Sequence, residues 1–271
     1  MKQILLLISI LFFIVGCSSN REKVLAKVKK ISAEKDFTTE IYHTKNFEIF
    51  TIKKITDLKK DLRIYIEGDG FAYRNKHTPS VDPTPVSYFL INLVFQDNSP
   101  NILYIARPCQ YVSNKNCTEK YWTNQRFSRE IIDAIDEVIR NFPDQKYELI
   151  GYSGGATIIN HLNHHNTKNI RTIAGNLDLK TFSKIHKIFE IAEEKINYEQ
   201  LSKIPQIHFV GNEDKIIPLD IFASYQKNLP KKNCTKLQVI DGASHSAGWQ
   251  NNSEFLLLLK DDHKISELCS K

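Results

Sequence analysis

The chain has 271 residues, 41% of them hydrophobic, and its 37 lysine and arginine side chains against 31 aspartate and glutamate leave a formal charge of +6 at pH 7. A mixed surface of that kind carries no electrostatic footprint for nucleic acid, so nucleic acid is not among the expected partners.

In chain order, the first feature is Lys2 followed by the apolar run Ile4 to Val15, then Gly16, Cys17, Ser18, Ser19 and Asn20. The run is too short to cross a bilayer as a stable helix and reads as a processing signal over residues 1–16. Ile14, Val15, Gly16 and Cys17 resemble the bacterial lipobox, which implies that Cys17 becomes the mature N-terminus and carries a diacylglyceryl thioether and an N-acyl chain. An ordinary cleaved signal is the alternative. Several acyl chains at about 0.8 kcal/mol per buried CH₂ make such an anchor firm. Ser18 in the second mature position resembles lipoproteins sorted to an outer membrane, so the expected location is the bacterial cell envelope, on the periplasmic side. Arg21, Lys23, Lys27, Lys29, Lys30 and Lys35 make residues 17–37 a basic linker, either attracted to anionic headgroups or solvated. Residues 38–271 then form one body with a sizeable core.

Within that body, Thr39 to Thr44 and Phe47 to Ile52 read as an antiparallel pair. Leu62 to Glu67 is a third strand, ending in Gly68, Asp69, Gly70. A helix is expected over Pro85 to Phe95 and a strand over Ile102 to Ala106. Phe127, Ile131, Ala134, Ile135, Val138, Ile139 and Phe142 mark an amphipathic helix, with Ser128 and Glu130 suited to its start. Tyr147 to Tyr152 and Ala156 to Leu162 form a strand and a helix around Ser153. Ile170 to Ala174, Ile207 to Val210 and Lys236 to Ile240 complete the strands. Strands alternating with helices imply a mostly parallel sheet covered on both faces, an α/β fold with ligands bound beyond the carboxyl ends of the strands. The interval 177–203 is longer than a plain connection needs and reads equally as a small helical cap over the site or as a crossover helix with a loop.

Thiols outside the reducing cytosol tend to pair. Setting Cys17 aside leaves an even set, and the expected bridges are Cys109 with Cys117, a short loop, and Cys234 with Cys269, stapling the C-terminal tail to the body. No CxxC pair is present to suggest zinc. His161, His164 and His165 lack carboxylate or cysteine neighbours in sequence, so no metal site is expected there.

Gly151, Tyr152, Ser153, Gly154, Gly155 is a glycine-flanked serine between strand and helix, the pattern of a nucleophile elbow. A serine hydroxyl needs a base and an acid that orients the base. Both candidates lie just past a strand: Asp214 in Gly211-Asn212-Glu213-Asp214-Lys215-Ile216-Ile217-Pro218, and His245 in Asp241-Gly242-Ala243-Ser244-His245. From about Thr39 to the C-terminus this layout resembles the α/β-hydrolase superfamily. Glu67-Gly68-Asp69-Gly70, Arg107-Pro108-Cys109-Gln110-Tyr111, Ala174-Gly175-Asn176-Leu177-Asp178 and His245 to Trp249 are similar to a group of exported bacterial α/β hydrolases.

The resemblance implies Ser153 as nucleophile, His245 as general base and then acid, and Asp214 as its orienting carboxylate, with Glu213 the nearest rival and Asp241 a distant one. It implies an oxyanion hole from the backbone amides of Gly154 and Asp69. Glu67 replaces the histidine the superfamily often has, the Asp69 carboxylate is expected to point away from the developing charge, and Arg107 is expected to neutralise Glu67 or Asp69. The implied activity is hydrolysis of small-molecule or lipid carboxylic esters through an acyl-enzyme, with no cofactor. Peptide hydrolysis or acyl transfer by the same residues, and a non-catalytic ligand- or partner-binding envelope lipoprotein, are the alternatives.

Overall fold

Alternation of apolar strands and amphipathic helices is what the chain builds. A computed structural model of the protein describes residues 20–191, 193–261, 264–265 and 267–270; the processing signal and Cys17 lie outside them. Helix α1 (Asn20–Glu34) precedes an antiparallel pair, β1 (Thr38–His43) and β2 (Glu48–Ile55). Strand β3 (Leu62–Ile66) leads through a small hairpin, β4 (Tyr73–Asn75) with β5 (Thr78–Pro79), into α2 (Phe89–Phe95). Then follow β6 (Asn101–Ile105), α3 (Arg129–Ile139), β7 (Tyr147–Tyr152), α4 (Gly154–His161), β8 (Thr167–Ile173), α5 (Leu179–His186) and α6 (Tyr198–Leu201). Last come β9 (Gln206–Gly211), α7 (Leu219–Asn228), β10 (Thr235–Ile240) and α8 (Ser253–Lys260).

The sheet has eight strands in the order β1-β2-β6-β3-β7-β8-β9-β10. Strand β2 runs against both neighbours, and β6, β3, β7, β8, β9 and β10 are mutually parallel. Every residue of β3 and β6 is buried, as strands covered on both faces must be. Alternate side chains enter opposite layers: Ile64 and Ile66 pack with Ile131, Ile135, Ile158 and Phe222 of α3, α4 and α7, whereas Tyr65 packs with Phe89, Trp249 and Phe255 on the α2 and α8 side. The α2 helix begins four residues later than expected, because 85–88 belong to the turn entering it. Both bridges are formed, Cys109–Cys117 with Cα atoms 5.5 Å apart and Cys234–Cys269 with Cα atoms 4.3 Å apart.

The basic stretch expected as a linker is, from Asn20, a docked helix. Its Val24, Leu25, Val28 and Ile31 recur at helical spacing among the lysines, and Val28 is buried in the α2-side layer. Arg21 makes a two-pronged pair with Asp82, at 2.9 and 3.1 Å, and Lys27 stands over the Tyr88 ring. Residues 177–203 carry α5 and α6, and Leu177, Leu179, Ile191, Ile196 and Leu201 are buried in the α3/α4/α7 layer. Asp178 caps α5 by accepting from the Thr181 amide at 2.8 Å and ties it to α7 by accepting from Ser224 at 2.7 Å.

Candidate active site

The turn from β7 into α4 forces Ser153 to φ 51° and ψ −120°, a conformation costly for a residue with a Cβ. Neighbouring backbone holds it there. The Ser153 amide donates to Ile173 at 3.0 Å and its carbonyl accepts from Asn176 at 3.0 Å. A Cβ on Gly155 would stand 2.2 Å from the Ile66 carbonyl oxygen, so helix α4 can approach β3 only through glycine.

Three parallel strands end at this rim, and the loops beyond them bring the expected side chains together. The Ser153 Oγ lies 3.0 Å from His245 Nε2, and His245 Nδ1 lies 2.9 Å from Asp214 Oδ2. The second Asp214 oxygen accepts from the amides of Ile216 and Ile217, each at 2.8 Å, and that carboxylate is wholly buried while His245 keeps 18% of its side chain exposed. The two rival acids lie elsewhere: Glu213 is exposed, and Asp241 accepts from Asn212. Tyr152, just before the serine, donates to the His245 carbonyl at 3.1 Å and stacks its ring 5.4 Å from the imidazole, with Phe89 behind it.

On the other side of the serine stands the loop after β3. A Cβ on Gly68 would lie 3.1 Å from the Ser153 Cβ, which puts this loop against the elbow. The Gly68 carbonyl accepts from Gln110 Nε2 at 3.0 Å, and Gln110 Oε1 accepts from the Arg107 amide at 3.0 Å. As the first residue of α4, Gly154 presents an amide with no intrahelical acceptor. The Asp69 carboxylate does not swing away from the elbow as expected. It lies against Gly154, close enough that a Cβ there would collide with it, and Arg107 and Arg126 grip its two oxygens at 3.2 and 2.9 Å. Two buried guanidinium groups offset its charge, which removes the reason for it to turn outward. Arg126 was not among the expected residues, since it lies in an irregular stretch before α3 and only tertiary packing brings it to Asp69.

Arg107 therefore pairs with Asp69, and Glu67 finds other partners. Its carboxyl accepts from Tyr104 and from the Gly68 amide, both at 2.8 Å. Complete burial pushes it up to about 7, against the pull of the Gly68 amide, Tyr104 and Arg107.

His161 faces Glu193 at 3.3 Å, and buried His164 meets Thr167 at 3.1 Å, burial drawing its imidazole down to about 4. No group of three or more histidine, cysteine or carboxylate side chains that could hold a metal occurs among the described residues. A cavity of about 410 Å³ lined by Ile139, Tyr147, Leu149 and Leu162 opens at the start of β7, the end of that strand remote from Ser153.

No protein-family model matches the sequence, and no curated protein matches it. Solved structures do share its architecture. Est1E from Butyrivibrio proteoclasticus superposes with a TM-score of 0.55 at 11% identity, over 86% of this chain and 99% of that one. The serine hydrolase CCSP0084 from Cycloclasticus zankles gives 0.55 at 13% identity, over 83% of this chain and 96% of that one. The acylaminoacyl peptidase of Pyrococcus horikoshii gives 0.54 at 15%, over 86% of this chain but 42% of that one. The fold is that of the α/β hydrolases. Within an α/β-hydrolase fold, the loops after β3, β7, β9 and β10 border one rim of the sheet, and Ser153, Asp214 and His245 stand on three of them.

Proposed function

We propose that this protein is a serine hydrolase that cleaves carboxylic esters through an acyl-enzyme, and that it works tethered to the bacterial envelope by lipid at Cys17. The observation that carries the catalytic reading is the continuous hydrogen-bonded line from Ser153 Oγ through the imidazole of His245 to the buried Asp214. In the reaction, His245 Nε2 takes the hydroxyl proton as Oγ attacks the ester carbonyl. The imidazolium, held by Asp214 at Nδ1, returns that proton to the departing alkoxide. Water then attacks the acyl-serine, with His245 again accepting the proton and then giving it back to Oγ. The backbone amides of Gly154 and Asp69 are the donors for the oxyanion in both tetrahedral intermediates. The guanidinium groups of Arg107 and Arg126 keep the Asp69 carboxylate from opposing that charge.

The test is labelling with a fluorophosphonate probe and release of p-nitrophenol from a series of acyl esters. Wild type is expected to do both and Ser153→Ala neither, with the far-ultraviolet spectrum unchanged. Equal labelling of the two proteins would sink the assignment of the nucleophile. The envelope reading is tested separately, by incorporation of radiolabelled palmitate that Cys17→Ser abolishes.

A further inference from the structure

The path of α1 decides where the chain leaves the body. At its C-terminal end, Phe37 packs edge-on against Phe95, the last residue of α2, with ring centres 5.3 Å apart. At its middle, Lys27 covers Tyr88, at the start of α2, and in its first turn Arg21 clasps Asp82. Helix α1 thus lies along α2 in the same direction, and its first turn emerges at the rim where β3 and β7 end. Contacts from Asp82 lead straight to the elbow: the next residue, Pro83, accepts from the Phe71 amide at 3.0 Å, Asp69 is two residues before Phe71, and Asp69 touches Gly154. On the other side, Val86 is three residues from Phe89, whose ring packs on Tyr152 beside His245.

The surface around this exit combines exposed apolar side chains with basic ones. Val81 and Val86 are 85% and 67% exposed. The tip of the β4–β5 hairpin, Tyr73, Arg74, Asn75, Lys76 and His77, is exposed throughout and basic. Lys23 adds a further exposed cation on α1. Protruding apolar side chains flanked by lysine and arginine suit the boundary of an anionic bilayer, the former entering the acyl region and the latter meeting phosphates.

Resting on the reading of Cys17 as the lipidated residue, we propose that this face, the β4–β5 hairpin with Val81 and Val86, lies on an anionic lipid bilayer and turns the mouth of the Ser153 site towards it. Only three residues lie between Cys17 and the pinned Arg21, four Cα-to-Cα steps that span at most about 14 Å even when fully extended. A tether that short, leaving from this rim, holds the rim at the bilayer surface. The site would then draw its esters from the membrane, not from bulk water.

The experiment uses the lipidated full chain in the Ser153→Ala background, so that docking is read without catalysis, on vesicles of phosphatidylglycerol and phosphatidylcholine carrying brominated acyl chains. Tryptophan is introduced singly as Val81→Trp, Val86→Trp or Leu58→Trp. Leu58 is 74% exposed in the turn between β2 and β3, at the opposite end of the sheet. Emission added at positions 81 and 86, over the two native tryptophans, should shift to the blue and lose about half or more of its intensity to the bromines, as expected for side chains seated at the acyl boundary. Emission at 58 should not change, and Arg74→Glu with Lys76→Glu should weaken the quenching at 81. Equal quenching at 58, no quenching at 81 and 86 on vesicle-bound protein, or no association with the vesicles would each overturn the proposal. Activity of the Ser153 form on soluble p-nitrophenyl esters reports separately on the hydrolase reading.

Discussion

At the residue scale, the most instructive side chain is Asp214. One of its oxygens is committed to two backbone amides and the other to His245, so both are engaged. In Asp214→Asn the amide oxygen would stay with those backbone donors and the NH₂ would face the imidazole, selecting the tautomer that cannot take a proton from Ser153. The expected loss in kcat is about 10⁴-fold with folding intact. A variant within tenfold of wild type would show that the carboxylate is not needed for orientation. Glu67 makes the opposite kind of prediction. Its folded value of about 7 stands above the ordinary glutamate value near 4.5, so the stability of the wild type is fullest below about pH 4.5 and falls as pH rises from there through 7. Glu67→Gln, which can still accept from the Gly68 amide, should therefore match wild type near pH 4.5, gain on it up to pH 7, and stay ahead above that by at most about 3 kcal/mol. Thermal melts at pH 5 and pH 8 with the same difference between the two proteins would contradict this.

At the scale of elements, local sequence decided most of what formed. Parallel strands such as Leu62–Ile66 are continuous apolar runs because both faces are covered, and α3 shows its stripe at spacing three and four. Helix α1 was not among the expected elements, since its Val24, Leu25, Val28 and Ile31 are interleaved with as many lysines and its stability comes from docking into the α2-side layer more than from propensity. Helix α5 depends on Asp178, which accepts from Thr181 and from Ser224 of α7. Asp178→Ala removes both contacts and should cost about 1 to 2 kcal/mol in urea denaturation, with esterase rates on soluble substrates unchanged. A neutral result would mean that α5 is held by its apolar face alone.

At the scale of the whole molecule, the two disulfides close loops of very different length, with sequence separations of 8 and 35. Chain entropy then assigns about 2.5 kcal/mol to Cys109–Cys117 and about 4 kcal/mol to Cys234–Cys269. Cys269→Ser should lower the urea midpoint more than Cys117→Ser, and the reverse order would show that native contacts of the short loop outweigh chain entropy. The short loop has a second consequence. Cys109 and Tyr111 adopt left-handed φ values of 71° and 63°, and between them Gln110 holds the Gly68 carbonyl beside the elbow. The bridge thus restrains the loop that supports one wall of the candidate site.

What the amino-acid sequence determined by itself was the alternation of strands and helices, the elbow around Ser153, and the short list of acids and histidines standing just past strand ends. These are local or periodic signals, carried by apolar spacing and by glycines that a tight turn requires. The resemblance already preferred Asp214 to Glu213 and Asp241, but pairing Arg107 with Asp69 and not with Glu67, bringing in Arg126, and laying α1 along α2 were decided by tertiary structure alone. Each of those depends on which buried group faces which across elements distant in the chain, and burial with hydrogen-bond pairing exists only once the sheet and its two covering layers have packed.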